Sequence, residues 1–519
     1  MRESQSRFRW LTLFVLLTTL IIVTLLINIS KNDNSTLRVA NTINVDDGDE
    51  SIDWSRFSVI DIELTESYKI TKSGIYHLTG AIEDGYIMID TNKEDTVKLI
   101  LDNVTIKNSA GPAIFCLEGD DLVIELVGEN AIEDGISYSS ITANDDIKGA
   151  IYSKADLTFE GDGTLTVFAN YEDGIISKDD LKFNSGTYNI TANDDAVRGK
   201  DSVYIIDGTF NIDANTDAIK ATNDQTPDKG FILIENGDFN IKAGAKGIKA
   251  TNSILIKNGD YTINSYDDAI HSNNYVGIKD GTIEITSGDD GIHADRELVI
   301  DGGAINVLKS YEALEAQIVT INGGQISVIA SDDGINAGGG ADSSSINRVG
   351  ANSFDADEDC VITINGGNIY INSAGDGIDS NGYLYFNDGS VVVDGPTNNG
   401  NGALDSSLDI VMRGGEVIAV GAAGMAESLG TSSTIYNVNI YFKKVYPAET
   451  KVEIRDSAGE TVLQHESAKS FNHFAGGSEK FIPTESYTIY VDDEEYEEFK
   501  ITNIVTTVGN SYDIMKQRR

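Results

Sequence analysis

From Gly149 to about residue 430 the chain repeats one arrangement of apolar and polar positions. Each unit holds three short runs in which the two kinds of residue alternate, as in GIHA, ELVIDGG and AINVL across Gly291–Leu308. Alternation with a period of two marks a strand with one face in a core. Taking the residue before the Gly/Ala-Ile pair or its equivalent as an anchor gives Gly149, Asp173, Asp195, Asp217, Lys246, Asp268, Asp290, Glu312, Asp333, Asp376, Gly402 and Gly424, most often 22 residues apart. The longer intervals are 29 residues before Lys246, where DQTPDKG is inserted, 43 before Asp376, where residues 337–359 bulge out, and 26 before Gly402. Insertions of this kind fall in the loops of a solenoid. The second turn recurs as SGT, DGT, NGD, DGG and NGG and supplies a glycine for a sharp corner.

Three strands in every 22-residue unit predict an all-β chain built as a right-handed parallel β-helix. Twelve anchors at the interstrand step make a rod of roughly 55 Å. Residues 56–148 read as the first turns and a cap, with the repeat region extending to 430. The segments YNVNIYF, KVEIRDS and SYTIYV within 431–519 read as a small C-terminal β domain. At the other end, Trp10–Ile29 is a run of 20 uncharged residues, long enough to cross a bilayer as a helix. Arg2, Arg7 and Arg9 precede it, so residues 1–31 are expected to be a cytosolic stub and transmembrane signal anchor, with the bulk of the chain extracellular. Residues 32–55 are polar and acidic and read as a linker.

Charge narrows the choice of partner. With 83 acidic against 38 basic residues the net charge is −45, which excludes nucleic acid and favours bound cations. Cys116 and Cys360, the only two cysteines, give no disulfide framework. The acids recur in pairs at the anchors, and stacking places each pair ~4.8 Å from the next. Two carboxylates at that separation repel by roughly 3 kcal/mol at an intermediate dielectric. Calcium, which takes oxygen ligands at ~2.4 Å, fits between them. Asp194, Asp195, Asp267, Asp268, Asp289, Asp290, Asp332, Asp333, Asp376 and Asp379 are therefore the expected metal ligands, with the turn between Asp268 and Asp290 the densest pairing. The competing reading is that turn-forming Asp caps local amides.

Three residues beyond each anchor runs a column expected to face outward: Arg198, Lys220, Lys249, His271, His293, Glu315, Asn336 and Asp379 among them. Its basic section suits an acidic polysaccharide. Lys246, replacing an anchor acid, is a candidate sugar contact or a built-in counter-ion for its neighbours. Tyr266 and Tyr311 offer rings for stacking on sugars. His271 and His293 could share a transition metal, though no third nitrogen or sulfur ligand is evident.

The runs KLILDNVTIKNSAGPAIF (98–115), AIYSKADLTFEGDGTLTV (150–167) and AVRGKDSVYIIDGTF (196–210) make the chain resemble the β-helical carbohydrate-binding proteins of Gram-positive bacteria, which are akin to pectate lyases. The resemblance implies bound calcium and affinity for cellulose-like or pectin-like polysaccharide, with no catalytic residues to carry over. The expected function is thus a membrane-anchored, calcium-binding, non-catalytic polysaccharide-binding protein. The alternatives are a calcium-dependent lyase acting on uronate polymers and a purely structural adhesin.

Overall fold

The structure is a computed structural model that describes residues 52–139, 147–338 and 356–510. The transmembrane anchor expected at residues 1–31 and most of the insertion expected at 337–359 lie outside these residues. Among the described residues no helix is long and apolar enough to cross a membrane.

The chain coils into a right-handed parallel β-helix. A coil is well shown by Val197–Gly199, Ser202–Ile205 and Thr209–Ala214, each paired in parallel with the equivalent strand one coil on. Where the anchors are 22 residues apart the register mostly follows that spacing, as Ile270 faces Ile292, which faces Leu314, with one-residue shifts after Ile285 and after Ala294. Slipping by one residue would turn every buried side chain outward, so the buried face enforces the alignment. In two coils the first pair of strands is continuous, as Ile292–Ile300 and Leu314–Ile321. The N-terminal strands Val59–Leu64 and Gly74–Ile82 already pair in parallel and begin the stack.

Identical interior positions stack into ladders. One runs Ile263, Ile285, Val307, Val328, Ile371 and Val393. Another is aromatic: Phe210 lies between Tyr188 and Phe239, with ring centroids 4.9 and 5.0 Å away, and Phe239 stacks on Tyr261 at 4.6 Å. These separations are those of offset-stacked rings. At the corner beneath them glycine is required: Gly259 has φ +122°, and a Cβ there would stand 2.8 Å from the carbonyl oxygen of Gly237. Cys116 and Cys360 are buried free thiols, packed as small apolar residues.

The C-terminal segment grows out of the last coil. Glu416–Gly421 pairs antiparallel with Phe471–Ser478, which pairs antiparallel with Asn437–Tyr446. Ile418 and Val420 of that last strand belong to a second core, with Phe442, Phe474 and Ile489. A four-stranded antiparallel sheet, ordered Thr461–Glu466, Lys451–Asp456, Ser486–Val491 and Glu494–Lys500, completes it. Reversing strand direction pairs the outer edge of Glu416–Gly421, the third strand of the last coil, so that edge is not left to recruit another chain.

Phe210→Ala empties a site stacked on both sides and should destabilise the chain by about 3–5 kcal/mol, measured as a lowered urea midpoint, with Phe210→Leu losing clearly less. Equal losses for the two variants would show that ring stacking does not hold the interior.

Candidate functional site

The anchor carboxylates are tied first to the backbone. Oδ1 of Asp173 accepts the amide of Asp195 at 3.1 Å, Oδ1 of Asp195 that of Asp217 at 3.2 Å, and Oδ1 of Asp217 that of Lys246 at 3.0 Å. The pattern continues at Asp268 with the Asp290 amide (3.0 Å), at Asp290 with that of Glu312 (3.2 Å), and at Asp333 with that of Asp376 (2.6 Å). Each anchor thus caps the turn of the following coil, which satisfies an amide that would otherwise be buried without a partner. The recurrence of Asp follows from this bond. Oδ2 is left to meet whatever stands three residues on.

What stands there changes along the rod. In the N-terminal part it is basic: Arg198 Nη1 is 3.1 Å from Asp173 Oδ2, and Lys220 Nζ is 3.0 Å from Asp195 Oδ2 and 2.8 Å from Asp217 Oδ2. Lys249 reaches Asp217 at 3.8 Å. Lys246 is buried, with Nζ donating to Asp267 at 2.9 Å and to Asp268. It is a counter-ion inside the turn and presents no surface to a sugar. Asp194 stands partly exposed beside Asp173 and Asp195, where Arg198 already supplies the positive charge.

In the middle the column is imidazole. His271 and His293 were expected outside; they do point away from the apolar interior, but they are 1% and 0% exposed. His271 Nδ1 lies 2.8 Å from Asp268 Oδ2 and Nε2 3.0 Å from Asn273 Oδ1. His293 Nδ1 lies 3.0 Å from Asp290 Oδ2 and 2.7 Å from Glu315 Oε2, and its Nε2 is 3.1 Å from Asp295 Oδ1. The side chain two residues beyond each ring bonds its far nitrogen, Asn273 from the turn after Ile270–Ser272 and Asp295 from within the continuous strand Ile292–Ile300. Burial disfavours charge on His293, but the three carboxylates outweigh it and hold the ring protonated well above its ordinary range. Burial likewise works against ionised Asp268, yet the His271 bond and the Lys246 charge leave its pKa below the ordinary value. Asp267, Asp268 and Asp289 converge, but with Lys246 and protonated His293 at hand the turn between Asp268 and Asp290 carries its own cations.

Towards the C-terminus the cations stop. Among the described residues no basic side chain pairs with Asp332, Asp333, Asp376, Asp379, Asp405 or Glu427, all partly buried. Burial, reinforced by neighbouring carboxylates, pushes Asp333 and Asp379 up to about 8, and Glu427 up to about 7. Asp376 rises to about 6 through burial, offset by the Gly402 amide. Asp332 Oδ1 and Asp333 Oδ1 converge where Gly375 lacks a side chain, in space its Cβ would fill. This donor set is all oxygen, the kind calcium takes, and it fits that ion better than the nitrogen-bearing cluster around His293.

The third strand of each coil offers a different surface. Its outward positions form the column Thr166, Asn189, Asn211, Asn240, Thr262, Glu284, Asn306, Ser327, Tyr370 and Val392. Asn211 Nδ2 donates to Asn189 Oδ1 at 3.0 Å, so the amides run as a ladder. A groove of about 570 Å3 follows this face from Thr282 and Glu284 to Ser390 and Val392, with His465 of the C-terminal sheet at its side. Tyr266 is 81% exposed and Tyr311 is also exposed, both on turns of the acid column rather than on this face. Sequence reasoning passed over the outer face because polar residues are the default on an exposed strand; the recurrence of amides and hydroxyls in register was the available signal.

The model of the carbohydrate-binding domain-containing protein family matches residues 65–334, just over half of the chain. The chain belongs to that family. Among curated proteins, a carbohydrate-binding domain-containing protein of Acetivibrio thermocellus is 37% identical over 127 residues, which cover 24% of this chain and 44% of the relative. The chain therefore matches less than half the length of that relative. Among solved structures, the polysaccharide lyase-like protein from C. thermocellum, in a gadolinium derivative, is 28% identical with a TM-score of 0.39, covering 47% of this chain and 96% of the other.

In this carbohydrate-binding family member the column acids Asp333, Asp376, Asp379, Asp405 and Glu427 hold their protons more tightly folded than unfolded. Free of metal, the chain is therefore most stable below the ordinary carboxylate value of 3.8 as far as these groups are concerned, and loses that contribution as pH rises to about 8. Thermal melts in chelator should fall over this window, and Asp379→Asn should flatten the fall. A variant with the parental slope would show that this column does not set the pH dependence.

Proposed function

We propose that the chain is an extracellular polysaccharide-binding protein, anchored to the membrane by its N-terminal segment, in which calcium holds the C-terminal acid column together. The observation that carries the reading is the outer sheet face of the family-matched coils: an exposed, regular array of amide and hydroxyl groups suited to sugar hydroxyls. The exposed rings of Tyr266 and Tyr311 belong to the same reading as further contacts at the rod's edge. Arg198, Lys220 and Lys249 keep part of their surface open and complete it, whereas their ion pairs argue against catalysis. Burial lowers Lys220, but Asp217 and Asp195 outweigh it and raise its pKa, so it is a poor base for removing the sugar proton that a lyase must take.

Asp332, Asp333, Asp376 and Asp379 are the residues proposed to hold calcium, and their mutual repulsion is what the ion relieves. An ion bound only by the folded chain stabilises it by about 2.7 kcal/mol at a hundredfold excess over its dissociation constant. Adding calcium to chelated protein should raise the melting temperature, and native mass spectrometry of Asp376→Asn with Asp379→Asn should show at least one ion fewer. Identical melts with calcium and chelator would remove the metal from the reading.

Pull-down of the purified chain on insoluble cellulose and on pectin tests the binding function, with retention on at least one expected. Steady release of unsaturated uronate products, followed by absorbance, would replace the binding reading with a lyase, and failure to bind either polymer would leave a structural protein.

A further inference from the structure

At the C-terminal end of the outer face one buried carboxylate organises two rings. Asp394 accepts from Tyr370 Oη at 2.8 Å through Oδ2, and through Oδ1 it lies 2.7 Å from His465 Nε2 and 2.9 Å from Ser467 Oγ. The amide of Ala468 adds a fourth bond at 3.2 Å. Tyr370 comes from the neighbouring coil and His465 from the C-terminal sheet, so Asp394 pins across two parts of the fold the side chains that border one groove. Nearby, Lys469 Nζ donates to the carbonyl of Ser373 and fastens the same segment to the rod. Rings fixed at their polar ends lose little freedom when a ligand covers them.

The lining decides the ligand's charge. The groove borders carry no Lys or Arg and a single carboxylate, Glu284; otherwise they present Asn306, Gln325, Ser327 and Asn368 beside apolar backbone positions. Any positive charge on His465 is met by Asp394. On a chain of net charge −45, a uronate polymer would enter this groove without a cationic partner, whereas an uncharged chain meets only amides, hydroxyls and ring faces. The groove crosses five coils, from the strand of Thr282 to that of Ser390, a straight path of ~19 Å at the interstrand step.

We propose that this groove binds an extended, uncharged polysaccharide running along the rod, with sugar rings against Tyr370 and His465 and hydroxyls on the amide column. The proposal rests on the polysaccharide-binding reading and assigns it a place and a ligand class. Affinity electrophoresis of the full-length chain in hydroxyethyl cellulose and, separately, in polygalacturonate tests it. Ser327→Trp fills the groove from an outward position, Tyr370→Ala removes a pinned ring, and Lys93→Trp, at an exposed loop off this face, is the control. Circular dichroism checks that each variant keeps its sheet content. The expected result is retardation by hydroxyethyl cellulose, weakened about tenfold or more by Ser327→Trp and by Tyr370→Ala and unchanged by Lys93→Trp.

Retardation that survives Ser327→Trp, or that Lys93→Trp weakens as much, overturns the location while leaving polysaccharide binding intact. Retardation by polygalacturonate alone overturns the ligand class. A parent chain retarded by neither polymer overturns the binding reading itself, and this inference with it.

Discussion

Parallel strands stacked in register make every residue the neighbour of its own counterpart one coil away, at ~4.8 Å. Inside the rod this constraint is favourable, because Ile on Ile and Phe on Phe fill space without voids. At the turns it is costly, because the Asp that caps one turn is brought against the Asp that caps the next. The cap is kept wherever the anchor is Asp, since there it satisfies an amide of the next coil. The column is therefore relieved coil by coil, by whatever stands three residues beyond the anchor. Arg and Lys do this first, then His271 and His293; beyond them the relief is protonation or an external cation.

The period, the strand positions and the glycine corners could be read from sequence because one buried face forces them. Lys246 was readable as a counter-ion for the same reason: stacking dictates who its neighbours are, and Asp267 and Asp268 are those neighbours. The fate of the outward column could not be read. Alternation gives the direction of a side chain, whereas His271 and His293 are enclosed by polar partners, among them Asn273 and Asp295 on the far ring nitrogens, that alternation does not identify. Nor does sequence show that one oxygen of each Asp anchor is already spent on an amide, or that Lys246 and His293 stand against Asp268 and Asp290. The join to the C-terminal sheet was hidden too, since its outward Ile418 and Val420 look like ordinary strand residues until the antiparallel partner covers them.

Each coil contributes one anchor turn and one strand of the outer face, so the two features cannot be independent. The coils begun by Asp290, Glu312, Asp333 and Asp376 carry the groove strands Ala304–Ser310, Gln325–Ala330, Asn368–Ser373 and Ser390–Asp394. The first of these coils has His293 as its cation, and among the described residues no Lys, Arg or His pairs with the anchor acids of the other three. A change in the spacing of their turns is transmitted through the same backbone ladders to Ser327, Asn368 and Tyr370. An ion that draws the turns together would thus order the groove, and a glycan lying across several coils would oppose their separation at the turns. Such coupling is reciprocal by thermodynamic necessity. In the N-terminal coils Asp173, Asp195 and Asp217 already stand against Arg198 and Lys220, so an ion that bound the anchor column would act at the end where the groove and the C-terminal sheet meet.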